Sequence, residues 1–97
     1  VPPREIFERD LRALEDSEVL VADISYPSLG VGFEIAYALL RGKRVIAYCR
    51  EDRLEKTSAL IRGITWRGFE LVPYSGLREL LVELDRKLRE ACGLSSL

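Results

Sequence analysis

The sequence contains no histidine and no methionine. Without an imidazole, the chain cannot build a Ser-His-Asp or Cys-His catalytic system, and zinc sites with histidine ligands are excluded. Because methionine is absent, Val1 is not an initiator residue, and we expect the protein to continue ahead of it. Cysteine is scarce too: Cys49 and Cys92 lie far apart and form no Cys-x-x-Cys motif. That usage is typical of reduced thiols in a cytoplasmic protein.

The chain also lacks a dominant sign of charge and a long apolar run. Its 15 basic and 16 acidic residues leave a net charge of -1, which gives no net attraction to nucleic acid or to an anionic membrane. The longest uncharged stretch, residues 24–33, contains Ser, Pro and Gly and is too short to span a membrane. A length of 97 residues with 47% hydrophobic side chains predicts a single globular domain over residues 1–97.

Apolar periodicity predicts helices that alternate with strands. This alternation is typical of an α/β fold with a doubly wound parallel sheet, flavodoxin-like or Rossmann-like. The first strand is nearly continuously apolar, as in a strand covered on both faces, yet nothing earlier in the chain could pair with it. We therefore expect the N-terminal strands of the sheet to be missing from this chain, or a partner chain to cover that edge. The predicted elements are helix 3–16, strand 19–24, helix 31–41, strand 43–49, a short helix over 54–62, strand 69–74 and a terminal helix from Leu77.

A glycine-containing loop, Ser28 to Gly32, joins the first predicted strand to the helix after it, where open α/β sheets bind ligands. Its two glycines would let backbone amides approach a phosphate at the helix N-terminus; a plain tight turn is the alternative. A dinucleotide site is disfavoured because Ile35 replaces the third glycine and Glu34 would repel a pyrophosphate. Glu51 and Asp52 do stand at the spacing of a ribose-binding acid.

Three acidic residues are candidates for chemistry. Glu34 lies in the first turn of its predicted helix, where the helix dipole would hold it ionised, as suits a nucleophile; a merely dipole-compensating Glu is the alternative. Asp10 lies in or beside the apolar stripe of the first helix, which runs antiparallel to the next strand and brings Asp10 toward Glu34. Two such carboxylates can divide into an acid and a nucleophile. Asp23 ends a strand, where an Asp more often bonds loop amides.

Two longer motifs resemble a known family. Residues 27–34 read Pro-Ser-Leu-Gly-Val-Gly-Phe-Glu, and residues 58–63 read Ser-Ala-Leu-Ile-Arg-Gly. Together with Asp10-Leu11, residues 19–23 and residues 42–46, they resemble the 2'-deoxynucleoside 5'-phosphate N-hydrolases of the nucleoside 2-deoxyribosyltransferase-like group, in the same order over nearly the whole chain. Transferases of that group more usually carry Asp-x-Gly-Thr before the Glu, so the Pro-Ser pair favours the hydrolase branch.

The resemblance implies an N-glycosidase. Such an enzyme hydrolyses the base–sugar bond of a (2'-deoxy)nucleoside 5'-monophosphate to free base and (deoxy)ribose 5-phosphate, without a metal or other cofactor. By this resemblance Glu34 attacks C1', and Asp10 orients the sugar and assists proton transfer to the leaving base. A nucleoside 2-deoxyribosyltransferase and a non-catalytic nucleotide-binding or dimerisation module are the alternatives.

The resemblance also implies a phosphate site and a homodimer. The 5'-phosphate would be held by Ser28, by the amides of Gly30 and Gly32, and by Ser58 from the neighbouring subunit. Family members open with a strand, a glycine-rich turn and a Tyr that contacts the site, and none of these precedes Val1 in this sequence. The resemblance therefore implies a nucleotide-metabolism domain whose first part lies outside this chain.

Overall fold

A computed structural model describes residues 1–91 and Gly93 of the chain. Cys92, for which a reduced thiol is predicted, lies outside the described residues, whereas Cys49 is a buried free thiol. Helices and strands alternate as the sequence predicts. Their order is α1 (Pro3–Asp16), β1 (Val19–Asp23), α2 (Leu29–Leu40), β2 (Arg44–Arg50), a turn of 3-10 helix (Glu51–Arg53), α3 (Ala59–Arg62), β3 (Phe69–Tyr74) and α4 (Leu77–Ala91).

The three strands form one parallel sheet in the order β1-β2-β3. In its register Val21 lies opposite Ile46, and Ala47 lies opposite Leu71. Parallel neighbours need a crossover connection, and here α2 and α3 lie in the two crossovers. The predicted α/β fold with a parallel, Rossmann-like sheet is confirmed.

Two apolar clusters, one on each face of the sheet, form the core. The central strand β2 is almost completely buried, although its side chains point alternately to the two faces of the sheet. Helices therefore cover both faces, as in a doubly wound sheet. One cluster joins Val45, Ala47 and Cys49 to Ile35 and Ala38 of α2, and the other joins Ile46, Tyr48, Val72 and Tyr74 to Leu80 and Leu84 of α4.

The strand β1 lies at an edge of the sheet. Its pattern predicts cover on both faces, yet Val21 is 38% exposed, and among the described residues no strand pairs with its outer side. The apolar side chains of β1 are thus only partly buried. Completion of the sheet by strands from outside this chain stays a prediction.

The helix α2 begins earlier than its apolar spacing predicts. Ser28 is its N-cap, and the Ser28 hydroxyl oxygen accepts a hydrogen bond from the Val31 amide at 3.3 Å, so helical geometry begins at Leu29. The helix ends as predicted, because Gly42 follows the C-cap with a positive φ of 76°, a conformation that favours glycine.

The prediction of one short helix over residues 54–62 is wrong in its first half. Only Ala59–Arg62 form α3. Ser58 caps this helix by accepting a hydrogen bond from the Ile61 amide at 3.2 Å, and the preceding Thr57 is tied to the carbonyl of Ile24 instead of continuing a helix. A long-range contact has overridden local propensity here.

The helix α1 packs loosely on the rest of the domain. Pro3 stands in its first turn, where a missing amide proton costs nothing. Leu14 is its only buried residue, so partly exposed side chains must make most of the contacts that hold α1 on the domain. None of the described helices has the length and hydrophobicity that crossing a membrane requires.

Candidate active site

Two cavities open where β1 ends and α2 begins. The first has a volume of about 170 Å³ and is called the carboxylate cavity, because Asp10 and Glu34 both line it. The second has a volume of about 320 Å³ and is called the serine cleft, because Ser28 and Ser58 both line it. Phe33 lines both cavities, so they adjoin. The other residues of the carboxylate cavity are Phe7, Leu11, Leu14 and Gly30.

Glu34 is the better buried of the two carboxylates. The sequence predicts Glu34 in the first turn of its helix. In the structure it is the sixth residue of α2 and lies in the second turn. The dipole effect fades within the first turn. Partial burial, followed by the negative charge of Asp10, raises the pKa of Glu34 above its ordinary value of 4.5. This shift is opposite in direction to the one that the helix dipole would produce.

Asp10 reaches the same cavity from α1. The residue is exposed, so it does not carry the desolvation cost that a place in the apolar stripe would impose. Its charge acts on Glu34 across the cavity and contributes to the raised pKa of that residue. The structure thus brings together the two carboxylates that the sequence singles out, on two different helices.

The two candidate serines have the same local role. Ser28 caps α2 and Ser58 caps α3, each through a hydroxyl oxygen that accepts a backbone amide proton. A serine hydroxyl that accepts in this way keeps its own proton to donate. Within one chain, both serines line the serine cleft. They can therefore donate two hydrogen bonds toward a ligand oxygen placed there.

The two candidate glycines lie on different sides of this arrangement. Gly30 lines the carboxylate cavity, whereas Gly32 lines the serine cleft. The Gly32 amide donates to the carbonyl of Ser28 at 3.0 Å, as the fourth residue after an N-cap must. A Cβ built on Gly32 would meet no atom within 4 Å. Gly32 therefore leaves open space in the cleft, and its amide is already used by the helix.

Asp23 lies outside both cavities and anchors the loop that leads to them. Its carboxylate accepts hydrogen bonds from the amide (2.8 Å) and hydroxyl (2.6 Å) of Ser25 and from the hydroxyl of Tyr74 (2.5 Å). Burial alone would raise the pKa of Asp23, but these hydrogen bonds outweigh it, and the pKa lies below its ordinary value of 3.8. The alternative that Asp23 bonds loop groups is the correct one.

Two further residues hold the same loop, and sequence patterns did not reveal them. The buried hydroxyl of Thr57 donates to the carbonyl of Ile24. The guanidinium of Arg53 donates to the carbonyl of Ser25 at 3.0 Å and lies 4.2 Å from the centre of the Tyr26 ring, which lines the serine cleft. Both contacts join segments far apart in sequence, so no local motif could have indicated them.

The structure gives no candidate metal centre in the part of the chain that it describes: no three His, Cys, Asp or Glu side chains there are grouped to hold an ion. What it presents at the carboxyl end of a parallel strand is a pair of carboxylates beside a cleft with two hydroxyl donors. In a Rossmann-like α/β protein, that arrangement can supply a nucleophile, a proton-transfer group and an anion site.

The chain belongs to the nucleoside 2-deoxyribosyltransferase family, whose model matches residues 2–85. A relative from Thermofilum pendens, provisionally named 2'-deoxynucleoside 5'-phosphate N-hydrolase 1, is 64% identical over 86 residues, which are 89% of this chain and 60% of that protein. The 5-hydroxymethyl-dUMP N-hydrolase of Branchiostoma floridae is 43% identical over 58 residues, 60% of this chain and 55% of that protein. The human protein of that name is 42% identical over 60 residues, 62% of this chain and 34% of that protein.

Proposed function

We propose that this domain hydrolyses the N-glycosidic bond of (2'-deoxy)nucleoside 5'-monophosphates, releasing the free base and (deoxy)ribose 5-phosphate. The observation that carries the proposal is the pair of carboxylates, Asp10 and Glu34, in one cavity beside the serine cleft. The names of the relatives, which are nucleotide N-hydrolases, support it. The chain spans only 60% of the Thermofilum relative, so the proposal concerns the whole protein that contains this domain.

In the proposed reaction Glu34 is the nucleophile. One oxygen of its carboxylate forms a bond to C1' as the bond from C1' to the base nitrogen breaks, and the electron pair of that bond leaves with the base. Asp10 orients the sugar and assists proton transfer to the departing base. Water then attacks C1', releases the sugar phosphate and restores the carboxylate of Glu34. No metal or organic cofactor is part of this mechanism.

The serine cleft would hold the 5'-phosphate. The hydroxyls of Ser28 and Ser58 would donate to phosphate oxygens. Each oxygen already accepts a helix amide proton, so each hydroxyl keeps its own proton to donate. Gly32 would contribute open space in the cleft. Gly30 lines the adjoining carboxylate cavity, and its amide would act from that side, at a helix N-terminus where orphan donors favour an anion. Adjoining cavities for phosphate and sugar fit a nucleoside monophosphate better than a free nucleoside.

The direct test is base release from a panel of ribo- and deoxyribonucleoside 5'-monophosphates. The wild-type protein should release free base, and Glu34→Gln should lower kcat about a thousandfold or more, because the amide cannot act as the nucleophile. Glu55→Gln is the matched control, since Glu55 is an exposed residue outside both cavities, and it should keep full activity. Absence of base release from every nucleotide, or an active Glu34→Gln protein, would refute the proposal.

Two alternatives make different predictions in the same assay. A nucleoside 2-deoxyribosyltransferase would pass the sugar to a second base added to the reaction and would not need the 5'-phosphate. A non-catalytic nucleotide-binding or dimerisation module would bind nucleotides without releasing base. The serine cleft favours the phosphate-dependent hydrolase over the transferase.

We also propose that the protein is a homodimer. An apolar groove between α2 and α3 supports this, because Leu60, 82% exposed, and Trp66, 55% exposed, both line it. In a dimer Ser58 could serve the site of the neighbouring subunit, as the family resemblance implies, or the site of its own chain. A single domain over residues 1–97 and a cytoplasmic location stay predictions.

A further inference from the structure

The helix α1 is attached to α2 first by a row of aromatic rings. The rings of Phe7 on α1 and Phe33 on α2 have centroids 6.1 Å apart and are tilted by 59°. Phe33 in turn stacks on Tyr37, one helical turn further along, at 6.1 Å and 13°. Tyr37 therefore supports the ring that forms a wall of both the carboxylate cavity and the serine cleft.

The second attachment is a polar cluster at the other end of α1. The carboxylate of Glu15 accepts a hydrogen bond from the hydroxyl of Tyr37 and another, at 3.1 Å, from the guanidinium of Arg41. The ammonium of Lys43 donates to the backbone carbonyls of Glu15 at 3.1 Å and Ser17 at 2.6 Å. These donors, with the hydrogen bond from Tyr37 as the largest influence, hold the pKa of Glu15 below its ordinary value.

Asp10 lies on α1 between these two attachments, three residues after Phe7 and five before Glu15. Because Leu14 is the only buried residue of α1, the aromatic row and the polar cluster provide much of what fixes the helix against α2. Tyr37 takes part in both, through its ring and through its hydroxyl. Tyr37 therefore links the two attachments on either side of Asp10, although it lines neither cavity.

We propose that Tyr37, with Glu15 as its acceptor, is a positioning residue that holds α1 on α2 so that Asp10 faces Glu34. Its effect on catalysis rests on the proposed function, but its effect on the carboxylate pair does not. Reactions of this kind are sensitive to small displacements of a catalytic group, and about 1 Å can cost a hundredfold in rate. Loss of the Tyr37 hydroxyl would let α1 move while leaving the serine cleft in place.

The experiment compares Tyr37→Phe with Tyr48→Phe, a matched loss of one hydroxyl. The Tyr48 hydroxyl is buried on the opposite face of the sheet and has no hydrogen-bond partner among the described residues. For each protein, carbon NMR of the Glu34 carboxyl follows its titration directly. Tyr37→Phe should lower the pKa of Glu34 toward its ordinary value. Burial and the charge of Asp10 raise that pKa, and α1 carries Asp10 and lines the cavity that contains Glu34. Tyr48→Phe should leave that pKa unchanged.

Kinetics give the second readout. Tyr37→Phe should lower kcat between about tenfold and a hundredfold with little change in KM, because phosphate binding does not involve α1. Glu15→Ala should reproduce both effects, whereas Glu15→Gln, which keeps an acceptor for Tyr37, should restore part of them. In an Asp10→Asn background, Tyr37→Phe should lower the pKa of Glu34 by less than it does in the wild type.

An unchanged Glu34 titration in folded Tyr37→Phe and Glu15→Ala proteins would overturn the positioning role, and so would an equal effect of Tyr48→Phe. Failure of the proposed function is distinguishable. A wild-type protein that releases no base refutes the hydrolase proposal, but the titration still decides whether Tyr37 and Glu15 hold Asp10 near Glu34.

Discussion

Asp10 and Glu34 line one cavity from two different helices, and the charge of Asp10 helps to raise the pKa of Glu34. This relationship determines how the pair can act. A like charge nearby disfavours ionisation, as does partial burial, so protons are retained on Glu34 to a higher pH than on a solvated glutamate. Two neighbouring carboxylates in different surroundings are typical of sites that divide acid and nucleophile roles.

The raised pKa of Glu34 predicts an acid limb in the pH profile of kcat/KM. A nucleophilic Glu34 must be ionised, so activity should fall as the pH falls through its pKa, which lies above the ordinary glutamate value of 4.5. Asp10→Asn removes the like charge and should move this limb to lower pH while also lowering the rate. The measurement is the pH dependence of kcat/KM for both proteins.

The opposite pH dependence would reassign the roles. Activity that is lost as the pH rises through the pKa of Glu34 would make Glu34 the proton donor and not the nucleophile. A limb that stays in place in Asp10→Asn would show that the two carboxylates are not coupled during the reaction.

Gly32→Ala is predicted to separate stability from binding. No atom lies within 4 Å of the position that the new methyl group would take, and no positive φ is needed there, so alanine should stabilise α2 by about 0.5–1 kcal/mol. The methyl group would occupy space in the serine cleft, and KM for a nucleoside monophosphate should rise on the order of tenfold, which is about 1.4 kcal/mol of binding. Denaturant titration and steady-state kinetics measure the two effects.

Gly76→Ala, at another open position, is the control and should leave KM unchanged. An unchanged KM in Gly32→Ala would argue against phosphate in the cleft.

Mixing two variants that are defective in different parts of the site determines which subunit supplies Ser58. If Ser58 serves the neighbouring site, a heterodimer of Glu34→Gln and Ser58→Ala subunits contains one complete site, and activity should return when the two proteins are mixed. If Ser58 serves its own chain, neither site is complete and mixing restores nothing. The family resemblance predicts recovery, whereas the shared cleft within one chain makes the other outcome a real alternative.

Asp23 is predicted to stabilise the fold in a pH-dependent way. Its pKa is lowered in the folded protein, so its contribution is present above its ordinary pKa of 3.8 and is lost as the pH falls through the lower folded value. Tyr74→Phe, which removes one hydrogen bond to this carboxylate, should cost about 1 kcal/mol at neutral pH. The cost should shrink in strong acid. Denaturant unfolding at neutral pH and in strong acid measures the cost of Tyr74→Phe, and Tyr26→Phe is the control. A cost that does not depend on pH would contradict the role of Asp23.

The strands and most of the helices could be predicted from the sequence because their signals are local. Apolar runs indicated β1, β2 and β3, and Gly42 marked the end of α2. The irregular segment before α3 could not be predicted from helix propensity. Thr57 is fixed by a hydrogen bond to a distant loop, and Ser58 is the N-cap of α3. The edge position of β1 could not be predicted from its own residues either, because it depends on which other strands pair with β1.

The candidate site was predictable in part for the same reason. The sequence indicated Asp10 and Glu34 through helix spacing and chain direction, and the serines through the motifs that carry the family resemblance. The turn in which Glu34 lies depends on a cap at Ser28, so the direction of its pKa shift was missed. The attachment of Tyr37 to Glu15 joins two helices across the surface, and no pattern within either helix could reveal it.

The stereochemistry of methanolysis tests the central claim most directly. With methanol competing against water, a covalent intermediate on Glu34 is opened by a second displacement at C1', so the methyl glycoside should keep the anomeric configuration of the nucleotide. A methyl glycoside of inverted configuration would contradict the account, because it would mean a single displacement at C1' and no bond to Glu34.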